Sequence, residues 1–148
     1  MSLDYDLEFE QNIEPKKLLQ LLVDLCGFQW QQTGISGFGL WINAYQEEDE
    51  DSRILMEETQ FVPRTVVSFS FRSKEDLETE ERTLIRSVMI LLQKVSGNAI
   101  LLFNYESIVC QRIKNRLIFN KKFWEKYTAN EVFQLGISYE LKELSTII

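Results

Sequence analysis

The sequence predicts an α+β domain: an antiparallel or mixed sheet of five to eight strands with two main helices packed on one face. Three observations lead there. Two segments, 3–9 and 65–72, alternate apolar and polar residues with the period of two that a strand with one wet face requires. Only two substantial segments carry the three-and-four spacing of an amphipathic helix, and a doubly wound parallel sheet needs more crossover helices than that. Each helical segment also has a single apolar stripe, enough to cover one sheet face.

Taken in order, Leu3, Tyr5, Leu7 and Phe9 alternate with Ser2, Asp4, Asp6 and Glu8 and predict the first strand. Pro15 suits a first helical turn, Leu18, Leu19, Leu22 and Leu25 supply the stripe, and Gly27 can close the helix, which spans 15–26. Phe28–Thr33 and Phe38–Tyr45 read as strands joined by a hairpin loop, Gly34-Ile35-Ser36-Gly37. An acidic loop follows, and residues 53–61 are ambiguous, a short strand being one reading. Val67, Phe69 and Phe71 then alternate with Val66, Ser68 and Ser70 in a further strand of the same sheet, 65–72.

Ser73 and Asp76 resemble a capping box ahead of the longest helix, whose face is Leu77, Leu84, Ile85, Val88, Leu91, Leu92 and Val95, with Gly97 just beyond. The apolar run Ala99–Phe103 predicts a buried strand. Residues 108–120 read as a hairpin about Lys114-Asn115; that register sets Cys110 opposite Phe119 and Arg112 opposite Leu117, with Ile108, Cys110, Leu117 and Phe119 on one buried face. In the tail, Phe123–Tyr127 and Glu131–Leu135 suggest helical turns, and Leu141–Ile148 either forms a strand or frays. Nothing in the sequence marks a repeat or a linker, so 1–148 is expected to be one globular domain.

Composition works mainly by exclusion. Of 148 residues 45% are hydrophobic, so a sizeable core needs no staple, and none is histidine, which rules out Ser-His-Asp and Cys-His chemistry. Cys26 and Cys110 form no Cys-x-x-Cys and sit in apolar company, the setting of reduced core thiols, so neither a disulfide nor a metal is expected there. There is no Gly-x-Gly-x-x-Gly, no phosphate-binding loop and no calcium-loop spacing. No cofactor and no catalytic residue are therefore expected. The acidic, alternating start does not resemble a secretory signal, and no apolar run reaches the ~18 residues of a membrane span. A cytoplasmic location is the expectation.

Charge is uneven. Residues 1–60 hold 13 acids and 3 bases, while the rest of the chain is net positive. The densest piece is Glu47, Glu48, Asp49, Glu50 and Asp51, readable as a solvated loop or as a surface offered to a basic partner. Trp41 and Tyr45, alternate residues on the strand leading into it, are the candidate aromatic anchors, with ordinary core as the competing reading. Asp4, Asp6, Glu8 and Glu10 are explained by alternation as the wet face of the first strand. Arg112, Lys114, Arg116, Lys121, Lys122 and Lys126 interleave with Phe119, Phe123 and Trp124, as a single-strand platform would. An isoelectric point near 4.7 opposes nucleic acid, and a solvated hairpin edge is the better reading.

The stretches Leu3-Asp4-Tyr5-Asp6-Leu7-Glu8, Val67-Ser68-Phe69-Ser70-Phe71-Arg72 and Gly97-Asn98-Ala99-Ile100-Leu101-Leu102-Phe103-Asn104, with Glu106, Arg112, Leu117, Asn120 and Trp124, carry a resemblance. They look like the Sit-type immunity proteins of bacterial contact-dependent toxin and immunity pairs, in the third subfamily. The chain departs from that pattern at Asn98, where Asp is more usual, and in its acidic insertion. The resemblance implies a protein that binds and neutralises a cognate protein toxin, with no catalysis and no cofactor; the low isoelectric point and the lack of a long apolar run imply no nucleic acid and no membrane. The alternative is a non-catalytic protein-binding or scaffolding domain of unrelated purpose. Oligomeric state is left open.

Overall fold

The computed structural model describes residues 3–49, 53–55, 60–72, 76–124 and 138–144. Its central strand is β1 (Asp4–Phe9), whose alternation puts Tyr5, Leu7 and Phe9 into the core and Asp4, Asp6 and Glu8 on the opposite face. Helix α1 (Pro15–Cys26) has the expected bounds. Pro15 supplies its first turn, and Gly27, left-handed at φ 82°, donates its N–H to the Val23 carbonyl at 3.2 Å. Leu18, Leu19 and Leu22 are buried, but Leu25 is 45% exposed and Cys26, four residues on from Leu22, packs at the core in its place.

Next come β2 (Gln29–Gln31), β3 (Gly34–Gly37) and β4 (Leu40–Gln46). The segment expected to be a hairpin loop, 34–37, is thus a strand in its own right. Its glycines serve close approach: a Cβ at Gly34 would collide with the Ile42 carbonyl oxygen. Two reversals flank it: Gln32-Thr33 joins β2 to β3, and Phe38-Gly39, both at positive φ as a tight two-residue hairpin turn demands, joins β3 to β4.

A small separate pair, β5 (Ile54–Leu55) with β6 (Gln60–Phe61), precedes β7 (Thr65–Phe71). Helix α2 (Leu77–Lys94) starts at Asp76, whose carboxylate accepts from the Thr79 backbone N–H at 3.2 Å and the Thr79 hydroxyl at 2.7 Å. Asp76 is therefore the cap itself; Ser73 lies outside the described residues. Leu84, Ile85, Val88, Leu91, Leu92 and Val95 are buried as expected, and Leu77 is not.

The chain continues through β8 (Ala99–Phe103), β9 (Ser107–Ile113), β10 (Arg116–Asn120), the single turn α3 (Lys121–Trp124) and β11 (Glu140–Lys142). Lys114 and Asn115 form the expected two-residue turn, both at positive φ, and Cys110 pairs with Phe119. Ile108 does not share their face. The register slips between Leu101 and Leu102, a bulge that inserts Val109, so Ile108 turns to the other side and joins Ile100 and Leu102.

Among the described residues, nine strands form one sheet in the order β11-β10-β9-β8-β1-β7-β4-β3-β2, antiparallel except where β11 runs parallel to β10. The expectation of five to eight strands and two main helices is corrected to nine strands, a separate two-stranded pair and three helices. The strand not foreseen is the glycine-rich segment, which carries no alternation long enough to be read; the tail, expected as a strand or a frayed end over 141–148, forms its strand at Glu140–Lys142. The tail also removes the expected hairpin edge: β11 covers β10, and Arg116 grips Glu140 with two hydrogen bonds of 2.8 and 2.9 Å. Both long helices share one core with the inner residues of β1, β3, β4, β7 and β8.

Arg112 completes this layer. Its guanidinium donates to the Leu92, Val95 and Gly97 carbonyls at 2.5, 2.6 and 2.7 Å, satisfying two groups that the end of α2 leaves without intrahelical partners and one in the connection to β8.

Candidate functional site

The sheet face away from the helices divides in two. Over β8 and β9, Ile100, Leu102 and Ile108 are sealed by Phe61, carried there by the β5–β6 pair, with Ile113 and Leu144 at the margin. Over β1, β7 and β4 the face is polar. Register places Asp6 beside Ser68 and Asn43 in one row, Glu8 beside Val66 and Tyr45 in the next, and Asp4 beside Ser70 and Trp41 in the third.

Four carboxylates descend β1 and its end, and their fates differ. Asp4 accepts from the Ser70 hydroxyl at 2.9 Å, and Glu10 accepts from the Val62 backbone N–H at 3.3 Å. Asp6 is 0% exposed, yet neither of its oxygens closes a hydrogen bond; one buried oxygen of Glu8 is in the same condition. The reading of this set as a wet strand face fails for these two. Sequence alternation assigns a side but not what stands over it, and here two tyrosines do.

Tyr105 sits in the β8–β9 turn, where Asn104 and Tyr105 both adopt positive φ and Asn104 exchanges hydrogen bonds with Asp4. Tyr45 reaches over from β4. Burial pushes the Asp6 carboxyl up; the nearby Ser68 and Tyr105 hydroxyls favour its charged form and offset that only in part. Glu8 is pushed up to about 7, first by burial and then by the charges of Asp6 and Glu47. The Tyr45 hydroxyl is raised to about 12 by burial and then by Asp6, Tyr105, Glu8 and Glu47, and Tyr105 is raised chiefly by Asp6. The shifts of Asp6, Glu8, Tyr45 and Tyr105 share causes, which places the four in one cluster.

Of the residues expected to bind a partner, Tyr45 belongs to this cluster and is 41% exposed. Trp41 shares its strand face but is half-buried, with the Arg72 guanidinium 5.1 Å above its ring. Glu47 is half-buried, held by its backbone N–H to the Arg64 carbonyl at 2.8 Å, and its carboxylate accepts from the Asp49 N–H at 3.1 Å. Glu48 and Asp49 are exposed, and Glu50 and Asp51 lie outside the described residues. Asp6, Glu8 and Tyr105 were not singled out by sequence reasoning as partner-binding residues. The signal available was the Asp4-x-Asp6-x-Glu8 spacing, since three acids on one strand face repel unless something relieves them.

Elsewhere, Cys110 is fully buried with its thiol pushed up to about 12, as an inert core residue would be, and Cys26 is half-buried. Among the described residues no group of three or more His, Cys, Asp or Glu is placed to hold a metal ion, and no helix is long and apolar enough to cross a membrane.

Comparison with known proteins adds one finding. The family model described as SitI3-like matches residues 3–128, which takes in β1, both long helices, the acid and tyrosine cluster and the Arg112 cap. Neither the curated proteins nor the solved structures give a match. With most of its length matched, the chain belongs to the SitI3-like family.

Proposed function

We propose that this protein binds and neutralises a cognate bacterial toxin in the cytoplasm and performs no catalysis of its own. Membership of the SitI3-like family implies an immunity-type protein, and the match over residues 3–128 is the observation that carries the reading. The distribution of charge supports it. Thirteen acids against three bases in residues 1–60 bias the surface toward a basic protein and against polyanions. The contact set is Glu47, Glu48, Asp49, Glu50 and Asp51 with Tyr45 as anchor and Trp41 beside it. Charges at the rim chiefly set the on-rate, while an aromatic anchor supplies more of the affinity.

The direct test looks for a toxin reading frame beside this gene and expresses that toxin with and without the protein. Restored growth, together with a purified complex of the two chains, is the expected result. Undiminished toxicity at equal toxin levels would overturn the proposal.

A further inference from the structure

We propose that the trough between Tyr45 and Tyr105 seats an arginine side chain of the partner protein, with Glu8 as first contact and Asp6 as the counter-charge behind it. This rests on the immunity-type reading above and specifies the chemistry of the partner.

The case begins with what is missing around the two carboxylates. Asp6 is wholly buried, and its oxygens, with one of Glu8, close no hydrogen bond, although the Ser68 and Tyr105 hydroxyls lie near enough to favour the charged form of Asp6. Buried charge without a donor is costly, and native proteins keep it where something supplies the donor at another time. Among the described residues no Lys or Arg forms an ion pair with either carboxylate. Arg72 lies on Trp41, Arg112 holds the end of α2 and Arg116 pairs with Glu140, while Arg64, whose backbone joins Phe9 to Glu47 just ahead of β7, stands at the rim without an ion pair to Asp6 or Glu8.

Three features select a guanidinium. Two carboxylates on one strand face, two residues apart, offer several acceptor oxygens to a planar fork of five donors. Aromatic rings at the two sides, 41% and 61% exposed, can stack on a flat cation but add less to a compact, strongly hydrated ammonium. Glu8 is only partly covered and Tyr105 stands on a turn, so the entrance is at Glu8 and the Tyr105 ring is the movable wall. The negative charge of Asp4, Glu10 and Glu47 around the rim excludes an anionic occupant.

Binding a cation there favours the ionised acids, so each arginine bound near neutral pH releases protons, and affinity rises from pH 5 to pH 8. The groups that titrate or carry charge around the trough are Asp4, Asp6, Glu8, Glu10, Glu47, Tyr45 and Tyr105.

The test titrates the isotope-labelled full chain with N-acetyl-argininamide and with N-acetyl-lysinamide, following the Glu8 side-chain carboxyl and the Tyr45 and Tyr105 ring signals by NMR. The arginine compound should shift all three and lower the Glu8 midpoint by about half a pH unit or more. The lysine compound should bind several-fold more weakly, and Glu8→Gln should lose about fivefold or more of the arginine affinity while remaining folded. Tyr105→Ala, which leaves both carboxylates in place, should lose part of it. Silence of these signals, an equal response to lysine, or an undiminished response in Glu8→Gln would each overturn the assignment. Toxin protection without arginine docking would reject this site alone; docking without protection would uphold the site and reject the immunity reading.

Discussion

Each half of the outer sheet face buries side chains, and the two do so in opposite ways. Over β8 and β9, Phe61 seals Ile100, Leu102 and Ile108, so the area removed from water is apolar and the burial stabilises. Over β1, a buried Asp6 and a partly covered Glu8 hold carboxylate oxygens that have given up hydration without closing a hydrogen bond. The same strands carry both halves. Burial alone therefore does not identify a core; what separates core from site is whether the buried groups are satisfied.

That contrast is open to direct attack. The largest effect is expected from Phe61→Ala, which uncovers the apolar half and should cost about 3–5 kcal/mol in urea unfolding. A loss below about 1 kcal/mol would mean that the β5–β6 pair is not a working cover. Next, Arg112→Ala strips three carbonyls, at the end of α2 and in the connection to β8, of their donor and should cost about 2–3 kcal/mol. Arg112→Lys, with a single point charge in place of the fork, should recover less than half of that.

The acidic half should respond with the opposite sign. The Glu8 value near 7 lies above its ordinary 4.5. Between those values the folded protein holds more protons than the unfolded chain, so the contribution of Glu8 to stability, complete below about 4.5, is lost as pH rises through 7. Glu8→Gln removes the titration. It should exceed the parent by on the order of 2 kcal/mol at pH 8 and by little at pH 4, measured as unfolding free energy at each pH. A variant less stable than the parent at pH 8 would show that the ionised carboxylate is satisfied after all. The smallest effect is reserved for the acidic loop: Gln or Asn at 47–51 should change stability by less than about 0.5 kcal/mol while lowering the on-rate for the toxin and flattening its salt dependence. An unchanged on-rate would reduce the loop to solvated surface.

The sequence was most legible where a local rule suffices. Pro15 and Gly27 bound α1, Lys114-Asn115 makes the turn that sets Cys110 against Phe119, and the inner alternation of β1 and β7 is intact. It was least legible where the deciding partner is remote. Nothing near Ile108 announces that a bulge will rotate it to the other face. Arg112 looks like one member of a basic stretch until the end of α2 is folded against it, and Asp6 looks wet until Tyr105, ninety-nine residues later, stands beside it. Of the candidate site, Tyr45 and the approach to the acidic loop were readable from the strand pattern; the unsatisfied acids were not, because satisfaction is a property of neighbours.

The position of β1 also sets a timetable. It is made before both strands that flank it, β7 and β8, and its ladder cannot close until residues 65–103 have followed. At typical synthesis rates of 5–20 residues per second, that leaves an apolar-faced strand unpaired for roughly 5–20 s on the ribosome. A strand in that condition invites pairing with other chains. Asp4, Asp6 and Glu8, every second residue along it, then act as gatekeepers: the carboxylates that strain the finished sheet keep the nascent one from aggregating.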